Sequence, residues 1–257
     1  MEEPHNGDKG NHYMTKIPST EEMLKAGMHF GHRTSKWHPK MEPFIFGQRL
    51  GVHIIDLRKT QKYLAEALEF VSKMASENKT ILMVGTKDQV KNRMVEVAKK
   101  SGLPYVNNRW IGGTLTNFLV IKKLIKDYVD LKEKKETGKL AKYTKKEQLN
   151  FARKIEKLDR MVGGMATVKK IPDALFIWDI KCEKTALAEA KKKGIPVIAV
   201  CDTNVNPDGI KYIIPANDDA TKGIKLVLEL FGKAVEEGRT QAKVQVASSK
   251  VQVIKTK

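Results

Sequence analysis

Short apolar segments alternate with amphipathic helical segments along most of this chain. The strand-like segments, at 80–85, 174–178 and 196–201, are apolar along almost their whole length and do not alternate between apolar and polar residues. A strand of this kind is buried on both of its faces. Because helical patterns separate these strands, the sequence predicts a parallel sheet with helices on both sides, which is a doubly wound α/β domain.

Capping and turn residues define the other elements of this domain. Ser19 and Glu22 form a capping box, which predicts a short helix that ends near Gly27. Residues 44–57 predict two short strands around a turn at 48–51. The further predicted elements are helices at 60–76, 87–100, 184–192 and 220–236, and strands at 104–106 and 212–214.

One stretch, 114–162, has no strand pattern. Apolar residues recur there at spacings of three and four, first within 118–128 and again within 151–162. A second capping box, formed by Thr144 and Glu147, marks the start of the returning helix. The pattern predicts an antiparallel helical hairpin that is inserted into the α/β domain and buries its apolar stripes mainly against each other.

The charge of the chain constrains its partners. Lys and Arg number 48 against 30 Asp and Glu, a formal net charge of +18, and residues 122–160 alone hold 14 basic and seven acidic residues. Such an excess favours a polyanion, either nucleic acid or an anionic membrane surface. No apolar run approaches the roughly 20 residues that span a bilayer, and the first twenty residues lack the apolar block of a signal peptide. We therefore expect nucleic acid and no membrane partner, with the basic hairpin as a clamp for RNA or protein.

The predicted boundaries place the α/β domain at 15–113 and 163–238 and the hairpin at 114–162. Residues 1–14 are polar, which predicts a disordered tail. Residues 239–257 alternate valine with polar residues and end in a basic sequence. This last pattern favours either an edge strand or a tail that becomes ordered only on RNA.

No pattern of catalytic residues is present. The sequence lacks GxSxG and HExxH motifs. The loop at 84–87 lacks the other glycines of a phosphate loop, and 112–114 follows no strand of ordinary length. The two cysteines, Cys182 and Cys201, exclude a disulfide framework and favour a reducing, cytoplasmic location. We therefore predict that the chain is not an enzyme; a nucleotide-dependent enzyme is the alternative.

Cations are interleaved with aromatic residues at 27–40, where two glycines and Pro39 prevent long regular structure. The same combination occurs at 108–110. Cations neutralise RNA phosphates and aromatic rings stack on unpaired bases, so both segments predict RNA contact. The alternative for the aromatic residues is a place in the core. The predicted RNA-binding residues are Arg33, Lys36, Trp37, Lys40, Arg49, Arg58, Lys59, Arg109 and Trp110.

Three aspartates follow neighbouring predicted strands. Asp202 comes after 196–201, and Asp218 and Asp219 come after 212–214, so their carboxylates are expected to converge at the carboxyl edge of the sheet. A cation would relieve their repulsion. His32 would complete a zinc site, whereas magnesium needs only carboxylates and water. The alternative is that Asp218 and Asp219 cap a helix. No other cofactor is expected.

Three segments resemble the signatures of the small-subunit ribosomal protein S2 family. They are 26–60, 107–118 (NNRWIGGTLTNF) and 172–220, and the resemblance runs in the same order from about residue 15 to residue 239. It implies a flavodoxin-like α/β domain with a projecting coiled-coil hairpin. The long insertion after the central signature is similar to the bacterial or organellar branch of the family.

The resemblance also implies a function. It implies a structural, non-catalytic protein between the head and body of the small ribosomal subunit, with a role in subunit assembly and translation. Its expected partners are 16S ribosomal RNA and other small-subunit ribosomal proteins, including ribosomal protein S1, which it would help to dock. The expected location is the cytoplasmic small subunit rather than an organellar ribosome.

Overall fold

The N-terminal part of the chain forms a helix and a small antiparallel sheet. The computed structural model describes residues 15–255, with the side chains of residues 15–244, so the tail predicted at 1–14 lies outside the described residues. The predicted capping box of Ser19 and Glu22 begins the first helix. The elements are α1 (Thr20–Lys25), β1 (Phe30–Arg33), β2 (Ile45–Arg49) and β3 (Val52–Ile55), and the strands lie in the order β1-β3-β2.

A five-stranded parallel sheet forms the centre of the molecule. In chain order its strands are β4 (Ile81–Val84), β5 (Tyr105–Val106), β6 (Ala174–Trp178), β7 (Val197–Cys201) and β8 (Tyr212–Pro215). Every residue of β4, β6 and β7 is buried, which their continuous apolar sequences predicted. The spatial order β5-β4-β6-β7-β8 is the flavodoxin-like order, with its switch point between β4 and β6.

Helices cover both faces of this sheet. The side chains of β6 alternate between two core clusters, with Phe176 and Trp178 in one and Leu175 and Ile177 in the other. The first cluster is covered by α2 (Leu57–Ser76), α3 (Asp88–Lys100) and α7 (Thr221–Lys255), and the second by α4 (Phe118–Glu136), α5 (Lys145–Val162) and α6 (Lys184–Lys193). The predicted α/β fold with a doubly covered parallel sheet is therefore confirmed.

Helices α4 and α5 pack against each other and also against the sheet. A capping box begins α5, as predicted. At the base of the pair, Ile121, Ile125 and Leu158 belong to the same core cluster as the sheet residues. Most side chains of 132–150 are exposed. The prediction that the two stripes bury mainly each other is therefore wrong for the base of the pair, because the sheet takes up those side chains.

Helix α7 continues to Lys255, so the described part of 239–257 is helical and the edge strand, one of the two predicted alternatives, is wrong there. The other alternative, a tail that becomes ordered on RNA, stays a prediction. Gly238 lies within this helix. A Cβ atom there would lie 2.1 Å from the backbone oxygen of Ser72 in α2, so this glycine allows the two helices to approach closely and does not end α7. Neither α7 nor any other described helix is long and apolar enough to cross a membrane.

Candidate nucleic-acid interface and acidic cluster

The cation-rich segment 29–44 is fixed to the carboxyl edge of the sheet by Thr203, the second residue after β7. The backbone N–H of His32 donates to Thr203 Oγ1 at 2.9 Å, and that of His38 donates to the Thr203 carbonyl at 2.8 Å. A Cβ atom at Gly31 would lie 2.7 Å from the Thr203 methyl group, so only glycine allows this close approach. The segment therefore has a defined position on the sheet edge.

Three of the four predicted metal ligands converge at this edge. Asp202 follows β7, Asp218 follows β8, and both are buried. His32 Nδ1 lies 3.1 Å from Asp202 Oδ2. One ligand atom from each of these three residues lies within 4.8 Å of the other two. An imidazole nitrogen and two carboxylates at such distances can hold a zinc ion, and the carboxylates alone suit magnesium with water.

The fourth predicted ligand, Asp219, pairs with a lysine that sequence reasoning did not identify. Lys87 Nζ lies 2.6 Å from Asp219 Oδ1, 3.0 Å from Asp218 Oδ1 and 3.5 Å from Asp179 Oδ2. Partial burial disfavours the charged amine, but the three carboxylates outweigh this effect and raise the pKa of Lys87. The acidic cluster therefore contains an internal cation. The sequence did contain a signal for this contact, because Lys87 follows β4 and therefore lies at the carboxyl edge of the sheet, where the aspartates also lie.

The pKa values of two groups in the cluster, Asp218 and His32, are also shifted. Burial raises the pKa of Asp218 to about 7, and the charges of Asp179 and Asp202 add to this shift. The contact with the Asp202 carboxylate raises the pKa of His32, against the opposing effect of burial. Asp218 therefore exchanges its proton near neutral pH, and a metal ion would compete with protons for the ligand atoms of both groups.

The switch point between β4 and β6, where flavodoxin-like folds hold ligands, is occupied by groups of the chain. The backbone N–H of Thr86 donates to Glu183 Oε1 at 2.9 Å, and Glu183 is buried. Burial raises the pKa of the Glu183 carboxyl group. The loop at 84–87 thus directs its Thr86 amide and its Lys87 ammonium group to carboxylates of the same chain.

Glu189 of α6 anchors the loop that carries Arg109 and Trp110. Trp110 Nε1 donates to Glu189 Oε1 at 3.0 Å, and the tryptophan is only 7% exposed. Glu189 also accepts hydrogen bonds from the backbone N–H groups of Gly113, Leu115 and Thr116. The structure therefore places the predicted stacking residue Trp110 in the core, whereas Arg109 is exposed.

All the predicted RNA-binding cations are exposed. Two of them have partners: Lys40 pairs with Asp208, and Lys59 donates to the carbonyl group of Pro43. Trp37 is half-buried, with its ring centroid 5.1 Å from that of His53. Of these predicted cations, Arg33, Lys36, Arg49, Arg58 and Arg109 have neither an ion pair nor a side-chain hydrogen bond among the described side chains of residues 15–244.

The regions that match known proteins include both the segment 29–44 and the carboxyl edge of the sheet. The family model for ribosomal protein S2 matches residues 23–238. The small ribosomal subunit protein uS2 of a Nitratiruptor species is 50% identical over 219 residues, which are 85% of this chain and 82% of that protein. The chain therefore belongs to the ribosomal protein S2 family, a family of structural ribosomal proteins and not of enzymes.

Proposed function

We propose that this chain is a structural constituent of the small ribosomal subunit that binds 16S ribosomal RNA. Membership of the ribosomal protein S2 family and the net charge of +18 support this function. The main support for RNA contact is a set of exposed cations without ion pairs, including Arg33 and Lys36. They lie on the segment 29–44, which Thr203 fixes to the carboxyl edge of the sheet. Because the backbone of this segment is already fixed, it loses little conformational entropy when phosphates bind.

Subunit assembly, translation and the docking of ribosomal protein S1 are the roles that we assign to this binding. Co-sedimentation tests the assignment. In a cell lysate, the chain should migrate with small subunits through a moderate-salt wash, in the cytoplasmic fraction. A free pool that binds a nucleotide would instead favour the enzyme alternative. Binding to anionic liposomes that is stronger than binding to RNA would favour a peripheral membrane protein.

We infer that α4 and α5 form a projecting coiled-coil hairpin, inserted at 114–162 between the two parts of the α/β domain at 15–113 and 163–238. The 3,4 spacing of apolar residues in both helices supports a coiled coil. The exposed, basic side chains of 132–150 support a role as an arm that holds RNA or a neighbouring small-subunit protein. Subunits that contain a chain with a shortened hairpin should lose the neighbour that the arm holds.

We propose a zinc or magnesium ion at His32, Asp202 and Asp218. Asp202 Oδ2 supports this site, since it is buried and its contact with His32 lacks the alignment of a good hydrogen bond. Asp219 belongs to the outer part of the cluster, because Lys87 pairs with its carboxylate. The ion would stiffen the surface that docks ribosomal protein S1.

Metal analysis after dialysis tests this site. We expect one metal ion per parent chain and a large loss of metal from Asp202→Asn and His32→Ala. Asp208→Asn, which changes an exposed aspartate on the same loop, is the control and should keep its metal. A parent chain without stoichiometric metal, together with variants that dock S1 normally, would mean that Asp202 and Asp218 serve only as turn and capping residues.

A further inference from the structure

A cleft between α6 and the loop at 202–208 has a basic wall. Its volume is about 410 Å³. Lys181, Lys184 and Lys191 line it on one side, and the side chains of the loop include Asn204. Among the described residues, no carboxylate lines this cleft. An anion that entered it would meet ammonium groups and an amide, with no acidic side chain to repel it.

The three lysines have no charged partner among the side chains that the structure describes. All of them are exposed, and none forms an ion pair within residues 15–244. Asp208, at the end of the loop at 202–208, does not line the cleft and already pairs with Lys40. The Lys40 contact lowers the pKa of Asp208, and Lys191 contributes only a small part of that shift. The ammonium groups of the cleft are therefore available to bind an external anion.

Helix stability does not explain these positions. A lysine in the last turn of a helix is favoured by the helix dipole, which accounts for Lys191. Lys184 is the first residue of α6, where the dipole disfavours a cation, and Lys181 precedes it by one turn. The first turn of α6 also contains no acidic residue, and the buried N-cap residue Glu183 uses its carboxyl group to accept a hydrogen bond from Thr86. A bound anion at this end of the cleft would stabilise the arrangement.

The cleft adjoins the segment that we propose to bind RNA. The loop at 202–208 lines the cleft, and the same loop accepts the backbone hydrogen bond of His38 and the ion pair of Lys40. A single polyanion could therefore contact the segment 29–44 and the lysines of α6 without leaving the surface. Lys184 and Lys191 are about 10 Å apart along the axis of α6, a separation that favours a ligand with several phosphates over one free phosphate ion.

We propose that this cleft binds the phosphate backbone of ribosomal RNA and extends the RNA-binding surface of the segment 29–44 around the loop at 202–208. The proposal rests on the function proposed above, which is binding to 16S ribosomal RNA. Lysines bind phosphates as point charges, without reading the bases. The cleft therefore adds affinity and fixes orientation, and it does not select a sequence.

The test compares two triple variants of the full chain. The cleft variant carries Lys181→Ala, Lys184→Ala and Lys191→Ala. The control carries the same change at three exposed lysines of α7, on the opposite face of the sheet, at Lys222, Lys225 and Lys233. Both variants lose the same charge. Binding to 16S ribosomal RNA is measured by filter binding at several salt concentrations, after circular dichroism has shown that both variants fold.

We expect the cleft variant to bind about 10- to 100-fold more weakly near 0.1 M salt, with a slope of log K against log salt that is shallower by about 2 to 3. The control should lose much less affinity. Equal losses in the two variants would overturn the cleft proposal and leave RNA binding intact. A parent chain that does not bind the RNA would overturn the proposed function itself.

A cleft variant that binds RNA like the parent but enters small subunits poorly would also overturn the proposal, because the cleft would then serve a protein neighbour. If the alanine variant does not fold, the corresponding triple change to glutamine is used, which removes the charge but keeps a polar side chain with two of the methylene groups. Its expected loss of affinity is the same, and normal affinity of a folded glutamine variant would contradict the proposal.

Discussion

The carboxyl edge of the sheet and the outer part of the α4–α5 pair are both rich in charge, but they differ in burial. At the edge, Glu183, Asp202 and Asp218 are buried, and each has a polar neighbour within the chain. At 132–150, almost all charged side chains are exposed. Buried charges require specific partners, whereas exposed charges are solvated and contribute little to stability. The carboxyl edge of the sheet therefore contributes to the shape and stability of the α/β domain. The charges of 132–150 contribute little to stability and are accessible to other molecules.

The largest effect should come from removing the internal cation of the edge. Lys87→Met leaves Asp179 and Asp218 buried without their positive partner, and we expect it to lower the free energy of unfolding by about 3 to 5 kcal/mol. The loss should be larger at pH 8 than at pH 6, because Asp218, with a pKa of about 7, can lose its charge by protonation at the lower pH. Urea denaturation at the two pH values measures both effects.

Lys91→Met is the matched control, since Lys91 lies one turn further along α3 and pairs with the exposed Asp88. We expect it to change the free energy of unfolding by less than about 0.5 kcal/mol. Similar losses for the two variants would contradict the distinction between the buried edge and exposed helical charge.

A smaller effect should follow from the loss of the carboxylate at Glu189. In Glu189→Gln an amide group faces donors such as the indole N–H of Trp110 and the backbone N–H of Leu115, so at least one donor loses its acceptor. We expect a loss of about 2 to 3 kcal/mol, together with a change in Trp110 fluorescence. Glu136→Gln, at an exposed position near the end of α4, is the control. If the free energy of unfolding and the Trp110 fluorescence were unchanged, the loop would keep its conformation without the Glu189 carboxylate.

The stability of the protein should also depend on pH through the buried carboxyl group of Glu183. Its folded pKa is raised above the ordinary value of 4.5, so the folded state keeps this proton to a higher pH than the unfolded state does. The stability contributed by this group therefore falls as pH rises from about 4.5 through the raised pKa. We expect Glu183→Gln to become more stable relative to the parent between pH 4 and pH 8. Glu66→Gln, at an exposed position on α2, should show no such trend.

The smallest effect on stability should come from the exposed region. Replacing 132–150 by a short Gly-Ser link keeps Ile121, Ile125 and Leu158 in the core, and the free energy of unfolding should fall by about 1 kcal/mol or less. Incorporation into small subunits should nevertheless weaken. A link that replaces 122–160 removes Ile125 and Leu158, and should be strongly destabilising. Equal stability of the two shortened chains would show that the base is not part of the core.

The continuous apolar strands made the main fold predictable, because burial on both faces leaves a strong signal in each strand. The convergence of Asp202 and Asp218 was predictable for the same reason, since parallel strands end at one edge. Strand β1 (FGHR) was not predicted, because it is short and has no buried residue. The continuation of α7 beyond residue 236 was not predicted, because valine alternates with polar residues in 239–257 and because the sequence does not show that Gly238 packs closely against α2.

Side-chain partners were harder to predict than positions. The sequence placed Trp110 next to Arg109 but did not show that Glu189, far along the chain, accepts the indole hydrogen bond and draws the ring inward. Nor did it show that Lys87 fills the acidic cluster. Both contacts join residues that are about 80 to 130 positions apart, and no local pattern records such a pairing.

The salt dependence of binding to 16S ribosomal RNA tests the central claim most directly. If six to eight exposed cations contact phosphates, log K should fall against log salt with a slope of about −4 to −7. Arg33→Ala and Arg109→Ala should each weaken binding by about 1 to 3 kcal/mol, through lost charge-assisted hydrogen bonds, and should make the slope shallower. A slope near zero, with both variants binding like the parent, would contradict a role of these exposed cations in holding the RNA.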